Sequence, residues 1–141
     1  MNKNQIIFII AGVSLVLIAV LILFITNEEG EKLNTERGGP DKKLLIGDWL
    51  RTDAQYLIRI NEVLNDGTLN AQYFNPSPIN VGQALWEEND RSLKIVIELR
   101  DEYYPGSTYT LYYLTDREML AGEYFQAIEG LSFYVEFTRY Q

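Results

Sequence analysis

The apolar residues of this chain follow two patterns, and the first is an unbroken run, IIFIIAGVSLVLIAVLILFI, over residues 6–25. In a helix with about 1.5 Å rise per residue, a run of this length covers the roughly 30 Å apolar core of a bilayer. It exceeds the about 7–15 apolar residues of a cleaved signal peptide, and no small-residue cleavage site follows it. We therefore predict a transmembrane signal-anchor helix over residues 1–26.

The segment after the anchor, residues 27–43, reads NEEGEKLNTERGGPDKK. It is polar and mixed in charge, and Gly38-Gly39-Pro40 interrupts it, so we predict a flexible stalk. Lys3 and the free amino group precede the apolar run, whereas three glutamates follow it. Because basic flanks stay cytoplasmic, we expect a single-pass inner-membrane protein with its N-terminus inside and its domain outside.

The second apolar pattern has a period of two and begins at residue 44. Leu93, Ile95, Ile97 and Leu99 alternate with mostly polar residues, and residues 131–138 do the same. This alternation is typical of strands with one buried face. Turn signals divide residues 44–141 into eight predicted strands: 45–51, 55–63, 68–74, 80–87, 92–100, 107–115, 118–126 and 131–140. We predict an all-β domain, a closed eight-stranded up-and-down β-barrel. A two-sheet antiparallel sandwich is the alternative.

The connections of such a barrel alternate between its two ends. Those after the second, fourth and sixth strands are tight turns, whereas those after the first, third, fifth and seventh are longer and richer in proline, amide and aromatic groups. Loops gathered on a rigid scaffold are where binding usually occurs. The predicted binding rim at the long-loop end comprises Arg51, Asp53, Asn75, Asn80, Arg100, Asp101, Tyr104 and Gln126. Tyr109 and Tyr113, at strand spacing, are predicted to be core.

The tight-turn end carries a predicted structural pair. Arg139 is in phase with the inward residues of the last strand and needs a partner, which the indole of Trp49 supplies by a cation–π contact. With Gly47, these residues resemble the start and end of the calycins, the lipocalin and avidin superfamily, in which a Gly-x-Trp indole packs under a basic residue of the last strand. The resemblance implies structural roles for Gly47, Trp49 and Arg139. The WLRTDAQY segment lacks the polar pattern with which avidins hold biotin, so biotin binding is not implied.

Three further segments look like a set found in small uncharacterised bacterial envelope proteins. They are DGTLNAQYFNPSPINV, ELRDEYYPGSTYTLYY and LAGEYFQA. This resemblance implies an envelope location and no particular activity.

The amino-acid composition excludes several kinds of catalytic site, metal site and partner. The chain has no cysteine and no histidine, which removes disulfides, the commonest metal ligands and the usual base of a nucleophilic triad. Its net charge of −8 opposes binding to nucleic-acid phosphates. We therefore predict no metal, no cofactor and no nucleic-acid partner.

These observations favour a non-catalytic binding or interaction module, anchored in a bacterial membrane, whose partner is a small molecule or an envelope protein. One alternative is a hydrolase of envelope carbohydrate that uses Asp53 and Asp101. Such catalysis needs two carboxyl groups roughly 5–9.5 Å apart across one bond. The other alternative is a structural subunit of an envelope complex.

Overall fold

The described residues, 39–89 and 91–140 of the computed structural model, form antiparallel β-structure. The strands are β1 (Gly47–Arg51), β2 (Leu57–Val63), β3 (Leu69–Asn75), β4 (Ser77–Ile79), β5 (Val81–Asn89), β6 (Ser92–Leu99), β7 (Thr108–Leu114), β8 (Met119–Gln126) and β9 (Leu131–Tyr140). The predicted anchor and most of the predicted stalk lie outside the described residues. Within those residues, no helix has the length and apolar character that crossing a membrane requires.

The strands follow one another around a single sheet in the order β4-β3-β2-β1-β9-β8-β7-β6-β5. The first strand pairs with the last, with Trp49 opposite Arg139. The free sides of the sheet approach each other where Thr68 bridges to Leu85 and the backbone N–H of Trp86 donates to the carbonyl of Gly67 at 2.8 Å. The sheet is therefore a nearly closed barrel, which confirms the all-β prediction but not complete closure.

The nine strands differ from the eight predicted because the segment predicted as a loop before the fourth strand is itself extended. Ser77–Ile79 pairs with β3, and after Asn80 the chain continues as β5 and pairs with β6 instead. Pro78 is tolerated in β4 because this short strand ends the sheet and has one neighbour. The chain thus changes partner at Asn80, at the seam of the barrel.

The predicted alternation places the core correctly over most of the sheet. In β6 every second residue from Leu93 to Leu99 is buried, and Tyr109 and Tyr113 are buried as predicted. The start of β9 departs from the prediction, since Leu131 and Phe133 are 48% and 43% exposed although they belong to the inward set. The reason is that β1 ends at Arg51, opposite Phe137, so this part of β9 extends beyond its neighbour.

The tight-turn end is closed by a 3₁₀ helix, Lys42–Leu45, which includes the last two residues of the predicted stalk. The indole N–H of Trp49 donates to the carbonyl of Leu45 at 2.9 Å. The Arg139 guanidinium carbon lies 4.3 Å from the indole centre, and its two terminal nitrogens donate to the carbonyls of Ile46 and Leu44. One arginine therefore holds both the indole and the segment that covers it.

Gly47 fits this cluster because it lacks a side chain. Its φ of 137° lies where residues with a Cβ are strained, and an added Cβ would stand 2.6 Å from Nη1 of Arg139. Gly47, Trp49 and Arg139 are thus in one contact cluster.

Candidate functional site

A cavity of about 390 Å³ opens at the long-loop end of the barrel. We call it the mouth cavity. Its volume falls in the range of roughly 300–1,000 Å³ typical of small-ligand sites. Its lining combines aromatic, amide and charged side chains: Arg51, Asp53, Ala54, Tyr56, Tyr73, Asn75, Tyr104, Tyr109, Tyr124, Gln126 and Phe133.

Three tyrosines form the floor of the mouth cavity. Tyr73, Tyr109 and Tyr124 occupy inward positions of β3, β7 and β8, and all three are buried. The hydroxyl oxygens of Tyr73 and Tyr109 are 2.9 Å apart in a hydrogen bond, and the rings of Tyr109 and Tyr124 stack with centres 4.5 Å apart. The rings of Tyr109 and Phe137 are nearly perpendicular, with centres 5.5 Å apart. Side chains thus fill the barrel beneath the cavity.

One wall is an ion pair between the last residue of β1 and the loop that follows. Nη2 of Arg51 donates to Asp53 at 3.0 Å. Nε lies 2.6 Å from the other carboxylate oxygen but lacks the angle of a hydrogen bond, so the directional bond of the pair is the one from Nη2. The Arg51 side chain is 11% exposed and that of Asp53 is 60% exposed. The arginine is therefore fixed in the wall, while the carboxylate faces solvent.

The guanidinium of Arg51 also lies against aromatic rings, 5.3 Å from the centre of Tyr56 and 6.0 Å from that of Tyr124. Burial by itself would lower the pKa of Arg51, but the hydrogen bond to Asp53 and the nearby Tyr109 raise it above its ordinary value. Arg51 therefore keeps its positive charge at every physiological pH.

The rest of the polar lining is uncharged. The amide nitrogen of Asn75, at the end of β3, donates to the hydroxyl of Tyr104. Gln126 ends β8, and the buried Ser107 hydroxyl accepts a hydrogen bond from the backbone N–H of the next residue, Ala127, at 3.1 Å. The first contact fixes the Asn75 amide, and the second holds the backbone just after Gln126; both residues are at strand ends.

The structure brings together part of the predicted rim. The rim residues that line the mouth cavity are Arg51, Asp53, Asn75, Tyr104 and Gln126. Arg100 and Asp101 line a separate hollow at the loop between β6 and β7, and the backbone N–H of Asn80 faces the Asp101 carboxylate at 3.5 Å. Asn80, Arg100 and Asp101 thus form a neighbouring group and do not share the cavity.

Sequence reasoning missed most of the aromatic lining, namely Tyr56, Tyr73, Tyr124 and Phe133, and it assigned Tyr109 to the core alone. A usable signal was present. These residues are the inward aromatic positions nearest the long loops, so the alternation could have located them once the two ends had been separated.

No protein-family model, curated protein sequence or solved structure matches this chain. The resemblance to calycins therefore stays a prediction, and the function is argued from the mouth cavity itself.

The buried floor predicts a loss of stability at alkaline pH. Burial raises the pKa of Tyr109 to about 12, against the opposing effects of the Tyr73 hydroxyl and the Arg51 charge, and burial also raises the pKa of Tyr73. In the unfolded chain a tyrosine ionises near pH 10. Between about pH 10 and pH 12 the folded state therefore holds protons that the unfolded state releases, so stability is complete below pH 10 and falls above it.

We expect each such tyrosine to lower the free energy of unfolding by up to about 1.4 kcal/mol per pH unit in this window. Thermal unfolding at a series of pH values measures the effect. The control is the double variant Tyr73→Phe/Tyr109→Phe, which removes both hydroxyls of one hydrogen bond and should be nearly neutral at pH 7. Equal alkaline losses in the two proteins would contradict the prediction.

Proposed function

We propose that this protein is a membrane-anchored, outward-facing module that binds a small ligand in the mouth cavity without changing it chemically. The observation that carries the proposal is a cavity of ligand size whose aromatic floor and polar walls are fixed on strand ends of a filled barrel. A preformed site of this kind lowers the entropy cost of ordering side chains on binding. The anchor is the apolar run over residues 6–25, argued from the sequence alone.

The positions of the acidic residues favour binding over hydrolysis. A glycosidase needs two carboxyl groups on either side of one bond. Among the residues lining the mouth cavity, Asp53 is the single acid and it is paired with Arg51, whereas Asp101 lines the separate hollow. The two carboxylates of the alternative mechanism thus lie in different cavities.

A matched pair of tyrosines tests the proposal. Tyr104 lines the mouth cavity, and its neighbour Tyr103 is 73% exposed outside it. We expect ligands found by a fragment screen to bind Tyr104→Ala at least about tenfold more weakly, equivalent to about 1.4 kcal/mol, and to bind Tyr103→Ala normally. Ligand-observed NMR titrations measure both affinities.

Two substitutions at the tight-turn end, Asn89→Ala and Arg117→Ala, serve as the distant control and should leave binding unchanged. Loss of binding in these variants together with normal binding by Tyr104→Ala would place the site at the wrong end of the barrel. Turnover of a bound glycoside that disappears in Asp53→Asn would instead support the hydrolase.

A further inference from the structure

We infer that the mouth cavity selects an uncharged saccharide ring. This inference rests on the proposed function, because it names the class of ligand for that same site. Three properties of the lining carry it: balanced charge, paired hydrogen-bonding groups and exposed aromatic faces above a closed floor.

The charge of the lining is balanced. Arg51 and Asp53 are the charged residues that line the cavity, and they are bound to each other. An anionic ligand that approaches Arg51 meets the Asp53 carboxylate, and a cationic ligand that approaches Asp53 meets the guanidinium. Separating the pair would leave a charge with 11% exposure without its partner. A neutral ligand leaves the pair intact.

The polar groups of the lining suit neighbouring hydroxyls. The amides of Asn75 and Gln126 offer donors and acceptors, the hydroxyl of Tyr104 already accepts from Asn75 and offers its own O–H as a donor, and the exposed Asp53 carboxylate accepts. A ring hydroxyl is itself donor and acceptor, so two adjacent hydroxyls can bond an amide or a carboxylate at two points. Bonds to the carboxylate are the stronger ones because its charge assists them.

The apolar part of the lining suits a flat ring and excludes a long chain. Tyr56 and Tyr104 are half-buried and Phe133 is 43% exposed, so aromatic surface borders the opening. One face of a sugar ring carries mainly C–H groups, which pack on such surface. Tyr73 and Tyr109 close the floor, so an acyl chain cannot extend into the barrel. Lipids are therefore disfavoured as ligands.

The test compares three sugars of the same ring that differ in charge: methyl β-glucopyranoside, glucosamine and glucuronate. The full-length protein is titrated in a detergent without a sugar headgroup, and saturation-transfer NMR gives the affinities. N-acetylglucosamine, methyl galactoside and methyl mannoside extend the neutral set. We expect at least one neutral sugar to bind at least about tenfold more tightly than both charged relatives.

Substitutions test whether the sugar binds in the mouth cavity. We expect Tyr56→Ala to lower the affinity for the neutral sugar at least about tenfold. Tyr112→Ala, on the outer face of β7, should leave that affinity unchanged. Asp53→Asn leaves the charge of Arg51 unbalanced and should shift preference toward glucuronate. Unchanged dispersion of the amide signals shows that each variant is folded.

The remaining outcomes overturn the inference. Equal or tighter binding of a charged relative by the unsubstituted protein contradicts selection for a neutral ligand. If no sugar binds while fragments do bind in a manner sensitive to Tyr104→Ala, the saccharide inference is wrong and the proposed function stands. If neither sugars nor fragments bind at the mouth, both are wrong.

Discussion

Replacing Trp49 by alanine is expected to lower the free energy of unfolding by about 3–5 kcal/mol. The indole is fully buried, its N–H is bonded to Leu45, and its face is covered by Arg139. Removal leaves a cavity and breaks the closure of the tight-turn end. Because small domains have total stabilities of about 5–15 kcal/mol, the loss is a large fraction of the total. Chemical unfolding followed by circular dichroism measures it.

The contact with Arg139 makes a second substitution informative. Arg139→Ala removes hydrogen bonds to two backbone carbonyls, yet it should cost less than Trp49→Ala because it leaves the indole buried. The double variant should cost less than the sum of the single ones, since each change already removes the shared contact. Trp86→Ala provides the comparison. The Trp86 N–H donates to the carbonyl of Leu64 and its ring lies beside Lys42, so the stability losses of Trp86→Ala and Arg139→Ala should be additive. Additive losses for Trp49 and Arg139 would contradict the coupling.

Gly122→Ala is expected to destabilise the barrel by about 3 kcal/mol, the upper range for overpacking. Gly122 faces inward on β8, and an added Cβ would lie 2.2 Å from the carbonyl oxygen of Thr110 and 3.0 Å from Cα of Leu111. Both atoms belong to the backbone of the paired strand β7, so they cannot move aside without disturbing the register. The midpoint of thermal unfolding measures the loss.

The matched control for this prediction is Gly82→Ala in β5. Its added Cβ would meet Cδ of Arg100 at 2.4 Å, nearly as close as the backbone contact at Gly122 but with a flexible side chain. The Arg100 side chain is 66% exposed and can rotate away, so we expect a loss within about 0.5 kcal/mol. Similar losses at both glycines would show that backbone contact is not the cause.

The sequence predicted those parts of the fold that depend on local pattern. Alternation from Leu93 to Leu99 is enough to define β6, and the turn signals separate the two ends of the barrel. The aromatic floor depends on register between strands, since Tyr109 meets Tyr124 only because β7 and β8 pair at that position. Register is not encoded within either strand alone. The exposure of Phe133 likewise depends on where β1 ends, which is a property of the neighbouring strand.

The candidate site was likewise only partly predictable from the sequence. Arg51 and Asp53 are two residues apart, and sequence reasoning placed both on the rim. Asn80, Arg100 and Asp101 were placed with them because their loops fall at the same end, yet the chain changes partner at Asn80, and Arg100 and Asp101 line a separate hollow. The connectivity of the strands was enough to predict which loops lie at the same end of the barrel. Which of their residues line the same cavity depends on where the chain changes strand partner, and that was not predictable from the sequence.

The pairing of Asp48 with Tyr140 places the beginning of β1 and the end of β9 side by side, at the end of the barrel opposite the mouth cavity. Copies of the barrel joined in series through these two points would each keep an open mouth, because the joining segments need not cross it. A tandem of this kind would present several copies of the mouth cavity to one polymer. Its second contact forms at the effective concentration set by the linker, which can raise the overall affinity by about 10²–10⁴-fold without any new contact. If the inferred saccharide binding is confirmed, such a tandem would bind a polysaccharide more tightly than a single barrel does.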